Sequence, residues 1–560
     1  MVRSRIQTEK GISKLLINEE KQYELAYMTY LTDRNRYEDF VREGYELFSF
    51  PVFFGTNHLN EHSKLTVFTK GIFDDIMQPD FSIVDHDVEM ILEACPNAYI
   101  FPRVNVSLSR RWELEHREEL CDSYPDGELG RASFASDLWA EEVKRELSLF
   151  IQHMQSMPYA EHIVGYQVAG GNTEEWLPVD VNGISGQRAL EKYEAYLKRH
   201  GLERNSAAFG HFYSELIAGR ILEFATHIKN LTNREQVVGT FYGYTFEVTG
   251  QKMGHHALRL LLESEDIDFI CSPVSYSQVR ALGRNHPYML PVDSLRLHGK
   301  LYFSENDTRT HLSRPVNATP HYTQPIWFGP NRDKTCDVIK MHAARALING
   351  HTAWWFDMWG GWYADEAYMK LLGEIRDLFE KSRNLPMKNL AEVAVFIDEE
   401  VLDQIEDSMA AQKVVYEFRE TLGKLGVPLA WYLSSDAEAV MDRYKAVISL
   451  VPAKSELSEK IAETAVKRKQ FCIEITEANV QVSTMELRER LKNAGVHIWC
   501  DRDAVIYANE SYVFLHTTES GECMINTPKE CTLIDVFSQE EFKDNSYHEK
   551  GKSYLLKCSG

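Results

Sequence analysis

The stretch Ile163-Val-Gly-Tyr-Gln-Val-Ala-Gly-Gly-Asn-Thr-Glu-Glu-Trp176 decides the fold. Its first seven residues are mostly apolar, as in a strand covered on both faces of a parallel sheet. The run then meets two glycines and a polar cluster of Asn172, Thr173, Glu174 and Glu175. A second stretch repeats the pattern. In Gly299-Lys-Leu-Tyr-Phe-Ser-Glu-Asn-Asp-Thr-Arg-Thr-His311, Glu305 closes an apolar strand and is followed by Asp307, Arg309 and His311. Polar residues thus gather at one end of each buried strand.

Working outward, strand-like runs fall at 24–30, 46–54, 97–106, 163–169, 237–244, 268–276, 300–305 and 352–358. Amphipathic stretches with apolar residues at i, i+3 and i+4 lie between them, as at 137–157 and 207–229. Eight βα units predict a (β/α)₈ TIM barrel over residues 1–385. The alternative, a doubly wound open sheet, would carry a Gly-rich first turn, which is absent. The polar segment 380–389 introduces a second alternating region. Strands expected near 392–397, 428–432, 446–451, 470–475 and 496–500, with helices near 400–425, 456–468 and 484–493, make residues 386–501 a flavodoxin-like α/β domain. Residues 502–560 have short strands and no helical period, predicting a small C-terminal β-sandwich domain.

The 560 residues include 61 basic and 84 acidic side chains, a net charge of −23. Nucleic acid and anionic membranes both require a basic face, so neither is expected as a partner. The first residues lack the apolar core of a secretory signal, which makes the cytoplasm the expected location. The nine cysteines are dispersed without a C-x-x-C pair and are expected as reduced structural thiols. Cys472, in a strand without a glycine elbow, does not read as a nucleophile.

In a (β/α)₈ barrel the chemistry sits where the strands end. Glu174 or Glu175 after the fourth strand and Glu305 after the seventh would face each other across the mouth. Retaining glycosidases need such a pair, an acid and a nucleophilic carboxylate about 5–5.5 Å apart. For the 172–176 segment a helix N-terminus with its cap is an equally good expectation. Arg309, near Glu305 in sequence, would keep it ionised, and Trp176 would help desolvate the acid. Other residues at predicted rim positions are Asn57, His58, Arg103, Asn105, Tyr242, Tyr244, Ser275, Tyr276 and the aromatic run 354–363, which contains Asp357. A Schiff-base lysine or a His-x-His metal cluster is not found at the strand ends.

The two glutamates, the Trp354-Trp-Phe-Asp-Met-Trp359 segment and the following α/β domain resemble glycoside hydrolase family 42 β-galactosidases and their clan A relatives. The resemblance spans nearly the whole chain. It implies an exo-acting retaining β-glycosidase for short β-linked oligosaccharides or glycosides, without cofactor or metal, working as a homo-oligomer (trimer or dimer). It also implies Glu305 as nucleophile and Glu175 as acid/base, with Arg103, Asn172, Tyr276 and Trp355 holding the sugar. Clan A enzymes place Asn directly before the acid/base; here Thr173 and Glu174 intervene. The Glu-Trp pair matches a Gly-Thr-Gly-Glu-Trp pattern of divergent relatives and selects Glu175, with Glu174 as competitor. A β-mannosidase like those of family 164, or a carbohydrate-binding barrel without turnover, is the alternative.

Overall fold

The computed structural model describes residues 2–9, 12–19, 21–56, 70–75, 78–121, 130–171, 173–177, 186–247, 253–276, 278–313, 329, 331–405 and 408–559. A small antiparallel sheet of β1 (Ser4–Glu9), β2 (Ile12–Ile17) and β3 (Lys21–Tyr23) comes first. It closes the bottom of the barrel: Ser4 N donates to Glu235 O at 2.8 Å, and Val237 N donates to Ser4 Oγ at 2.9 Å.

The barrel has eight parallel staves. The first is β4 (Leu25–Met28); the second is β5 (Leu47–Ser49) with β6 (Pro51–Phe53); the third is β7 (Tyr99–Ile100) with β8 (Arg103–Asn105). The other five are β9 (Gly165–Ala169), β10 (Val237–Phe241), β11 (Phe269–Ser272), β12 (Leu301–Asn306) and β13 (Thr352–Phe356). Pro51 and Pro102 stand at the interruptions of the second and third staves, and neither has an N–H to give to a ladder. The spatial order β6-β8-β9-β10-β11-β12-β13-β4-β5-β7 therefore begins and ends on the same two staves, so the ring is closed.

Register decides which residues enter the lumen. Glu305 pairs with Trp354, so these two share the inner side while Trp355 takes the outer one. Aromatic rings fill the lumen: Phe303 lies 4.8 Å from Trp354, 5.1 Å from Phe101 and 5.7 Å from Phe269 between ring centres. Around the barrel, the helix Asp137–Ser156 is capped by Ser136 Oγ and the helix Ser206–Leu231 by Asn205 Oδ1, each accepting a backbone N–H at 2.9 Å.

The second unit is a parallel sheet of β14 (Val393–Ile397), β15 (Leu429–Leu433), β16 (Ala446–Leu450) and β17 (Phe471–Ile475), ordered β15-β14-β16-β17. The strand expected at 496–500 does not form. There, Trp499 N and Cys500 N both donate to Gly426 O at 3.1 Å, a loop contact and not a ladder. The last unit is antiparallel: β18 (Ala504–Ala508), β19 (Val513–Thr517), β21 (Thr532–Asp535) and β23 (Ser553–Ser559), with a separate pair β20 (Gly521–Cys523) and β22 (Ser546–His548). Two of its cysteines depart from the expected reduced state. Cys531 and Cys558 form a disulfide, brought together by the pairing of β21 with β23 across 27 residues of sequence.

The lumen leaves no spare volume at Gly239 on β10, where an added Cβ would lie 2.1 Å from the Phe269 ring. Gly239→Ala is expected to lower stability by about 1–3 kcal/mol or more, because a packed ring has nowhere to go. Urea denaturation measures it; an unchanged midpoint would contradict this packing.

Candidate active site

One arginine organises the mouth of the barrel. Arg103 on β8 is only 1% exposed, and its guanidinium lies 4.7 Å from the Phe241 ring, 5.1 Å from Phe356, 5.4 Å from Trp354 and 5.6 Å from Tyr30. Rings at these distances favour the cation electrostatically while excluding water. Its donors are all directed. Nη2 donates to Glu305 Oε2 at 2.7 Å, Nη1 to Tyr30 Oη at 3.0 Å and Nε to Gln167 Oε1 at 3.1 Å. Nη1 also lies 3.6 Å from Glu174 Oε2, so one guanidinium serves two carboxyl groups from different staves.

Among the described residues the segment after β9 does not begin a helix, which goes against the capping alternative: residues 173–177 are turn and isolated bridge, Glu175 bridging to Gly170. Thr173, Glu174 and Trp176 adopt φ of 54°, 69° and 59°, the left-handed region that side chains rarely occupy. Such strain persists where surroundings over-determine it. Here Trp176 N donates to Gly170 O at 2.7 Å and its indole N–H to Thr240 Oγ1 at 2.9 Å. The result turns two adjacent glutamates in different directions. Glu174 is sealed at 1% exposure and accepts from Tyr30 Oη at 3.2 Å. Glu175 keeps part of its surface exposed and accepts from Tyr244 Oη at 2.8 Å and Thr173 Oγ1 at 2.6 Å.

Burial raises all three carboxyls. It lifts Glu174 to about 7 against the Arg103 cation and the Tyr30 hydroxyl, and it lifts Glu175 against the hydroxyls of Thr173 and Tyr244. Glu305 is raised by the same desolvation, with Arg103 as the largest opposing influence. Three carboxyls raised by burial around one cation disfavour simultaneous ionisation, the condition under which like side chains can take different protonation states. Tyr244 is pushed far above the usual phenol range by burial and stays a neutral donor.

The structure brings Arg103, Glu175 and Glu305 into this cluster. Tyr276 stands beside it, its ring 4.0 Å beneath the Arg280 guanidinium. Trp355 is placed elsewhere: it is fully buried behind the sheet, its indole N–H donating to Tyr45 Oη at 3.0 Å. The ring facing the lumen is its neighbour Trp354. Asp357 is not a rim residue either; it anchors a loop by accepting from Tyr27 Oη, Gly361 N and Trp362 N at 2.9, 2.9 and 2.7 Å. Arg309 is not the counterion of Glu305, for it pairs at 3.3 Å with Asp307, which Arg280 also holds at 2.9 Å. Trp176 packs under the turn, against Phe134 and Phe224. Asn172, Asn57 and His58 lie outside the described residues. Tyr30 and Gln167 are residues of the cluster that the sequence did not single out, although Tyr30 does close the first apolar run; Trp354 and Phe356 were expected there only as members of the aromatic run 354–363.

No family model and no curated protein matches the sequence. Solved structures match the fold at probability 1.00. A β-galactosidase from Bacillus circulans sp. alkalophilus is 11% identical with a TM-score of 0.64, covering 96% of this chain and 99% of its own. A catalytic mutant of a glycoside hydrolase family 42 β-galactosidase from G. stearothermophilus is 10% identical with a TM-score of 0.62, covering 99% of both chains. A family 42 exo-carrageenase from Bacteroides ovatus is 11% identical with a TM-score of 0.62, covering 99% of this chain and 84% of its own.

Glu174 gives a pH-dependent test of the cluster. A carboxyl raised by folding adds stability below its unfolded pKa and loses that contribution as pH rises through its folded value, here about 7. Glu174→Gln imitates the protonated form, so it should gain on wild type between pH 5 and pH 8, by on the order of 2 kcal/mol. Urea titrations at both pH values measure the difference; a pH-independent one would contradict the assignment. Over nearly its whole length, the chain has the fold of the family 42 β-galactosidases.

Proposed function

We propose that the protein is a retaining exo-β-glycosidase acting on short β-linked oligosaccharides or glycosides, with β-galactosides as first substrate and β-mannosides as the alternative. The observation that carries this is the Arg103 guanidinium between Glu305 and Glu174, with Glu175 held by Tyr244 at the same barrel mouth. The fold supports it, and carbohydrate is the substrate class of the enzymes that share that fold.

In this account Glu305 attacks the anomeric carbon as its bond to the leaving oxygen breaks, and Glu175 transfers its proton to that oxygen. Glu175 then takes a proton from water, which attacks the same carbon and releases Glu305 as carboxylate. Glu175 is assigned the acid/base role over Glu174 because it keeps access to solvent, where the aglycone departs and water enters. Glu174 has a different task. When Glu305 becomes an ester it loses its charge, and Arg103 would be left buried without a counterion. Glu174, 3.6 Å from the same guanidinium, supplies one at that stage. Asn105 Nδ2 and Gln167 Nε2, buried and without an acceptor among the described residues, are suited to sugar hydroxyls.

The roles separate by azide rescue on whichever aryl β-glycoside the wild type cleaves. Glu305→Ala should lose activity by about 10⁴-fold or more and form the α-glycosyl azide; Glu175→Ala should form the β-azide. A β-azide from Glu174→Ala, with Glu175→Ala not rescued, would exchange the two glutamates. Absence of cleavage by wild type across galactosides, glucosides, mannosides, fucosides and arabinosides would overturn the proposal in favour of a binding protein.

A further inference from the structure

The second unit does not merely adjoin the barrel; it reaches into the rim that carries the acid/base. Asp403, on the helix Glu399–Gln404 that follows β14, is fully buried. Its Oδ1 lies 2.7 Å from His256 Nδ1, and its Oδ2 lies 3.3 Å from His211 Nδ1 on the barrel helix Ser206–Leu231. Four residues earlier, Glu399 accepts the backbone N–H groups of Leu258 and Arg259 at 2.8 and 3.1 Å. These are unbonded first-turn donors of the helix Leu258–Glu263, so one side of the second unit grips residues 256–259 at both side chain and backbone.

What that grip holds is the seat of Tyr244. His255, adjacent to His256, is fully buried between two tyrosines, its ring 4.9 Å from Tyr242 and 4.8 Å from Tyr244. The Tyr244 backbone N–H donates to His255 Nδ1 at 3.3 Å. At its other end, Tyr244 Oη donates to Glu175 Oε1 at 2.8 Å. The link from Asp403 to Glu175 is therefore continuous, each member hydrogen-bonded or covalently joined to the next. Nothing in the lumen packing requires a buried carboxylate at 403, and leaving one there without partners would cost several kcal/mol.

We propose that Asp403 is a positioning residue for the acid/base: by fixing His256, and with it His255, it seats Tyr244 so that the phenol orients Glu175. This rests on the glycosidase reading above. The consequence is chemical. A displaced Tyr244 leaves Glu175 in its pocket but misaimed, and general-acid catalysis is sensitive to such misplacement. Glu305 and Arg103, on other staves, are untouched.

The test uses the full chain and two glycosides of the sugar that wild type cleaves. One has a dinitrophenyl aglycone, which leaves without protonation; the other has an alkyl aglycone, which needs the acid. In Asp403→Asn, a single amide oxygen cannot accept from both imidazoles. Its kcat/KM should fall about tenfold or more on the alkyl glycoside and less than about threefold on the dinitrophenyl glycoside. Equal losses on both substrates, or no loss on either, would overturn the proposal. Should Asp403→Asn fail to fold, Gly210→Ala presses on the same carboxylate without changing charge, because its Cβ would lie 2.8 Å from Asp403 Oδ1. The same selective loss is expected there, with the same contrary outcomes. Glu175→Ala is run alongside. If it shows no dependence on the aglycone, the acid/base assignment fails; if it does and the Asp403 and Gly210 variants do not, only the positioning role fails.

Discussion

The constraint on which the site depends is that Arg103 carries a full positive charge inside the barrel. An unpaired buried cation is among the costliest features a fold can contain, so its neighbours must be arranged around it. Four aromatic rings shield it, Tyr30 and Gln167 take two of its N–H groups, and Glu305 and Glu174 supply counter-charge from opposite staves. The geometry of the candidate site is thus a by-product of satisfying one guanidinium. The same arrangement disfavours ionising the carboxyls together, which in the proposed mechanism separates an acid from a nucleophile when the side chains are chemically alike.

Much of the barrel was legible because parallel strands covered on both faces are continuous apolar runs, and each run ended where a polar residue would meet the mouth. Glu305 follows from that rule alone. The details that were not legible all depend on register or on distance across the ring. Trp354 and Trp355 are indistinguishable until the pairing of Glu305 with Trp354 shows which faces inward. Arg309 is four residues from Glu305 and Arg103 is 202 residues away, yet it is Arg103 that touches it. Glu174 and Glu175 differ only through left-handed backbone conformations that no residue type in Thr-Glu-Glu-Trp advertises. The segment expected as a strand at 496–500 had the right composition but turns back on the loop at Gly426, whose carbonyl takes the N–H groups of both Trp499 and Cys500.

The second unit also matters to the rim. Arg419, 1% exposed, donates to Tyr288 O at 2.5 Å and to Glu247 at 3.2 Å, and Glu247 in turn receives the Tyr276 backbone N–H at 3.3 Å. Asp403 acts in the same way one stave earlier. The loops following β10 and β11 are therefore braced from outside the barrel, while those following β8 and β12 are braced by Arg103 from within. A rim held from two sides can keep a strained turn and two adjacent glutamates in place.

The most direct measurement is covalent trapping. A 2-deoxy-2-fluoro-β-glycoside of the cleaved sugar with a dinitrophenyl aglycone should inactivate the enzyme with a one-to-one mass increase, and peptide mapping should place the adduct on Glu305. An adduct on Glu174 or Glu175, or steady turnover of the parent glycoside without any trapped species, would contradict the account of Arg103 and Glu305 as the centre of the chemistry.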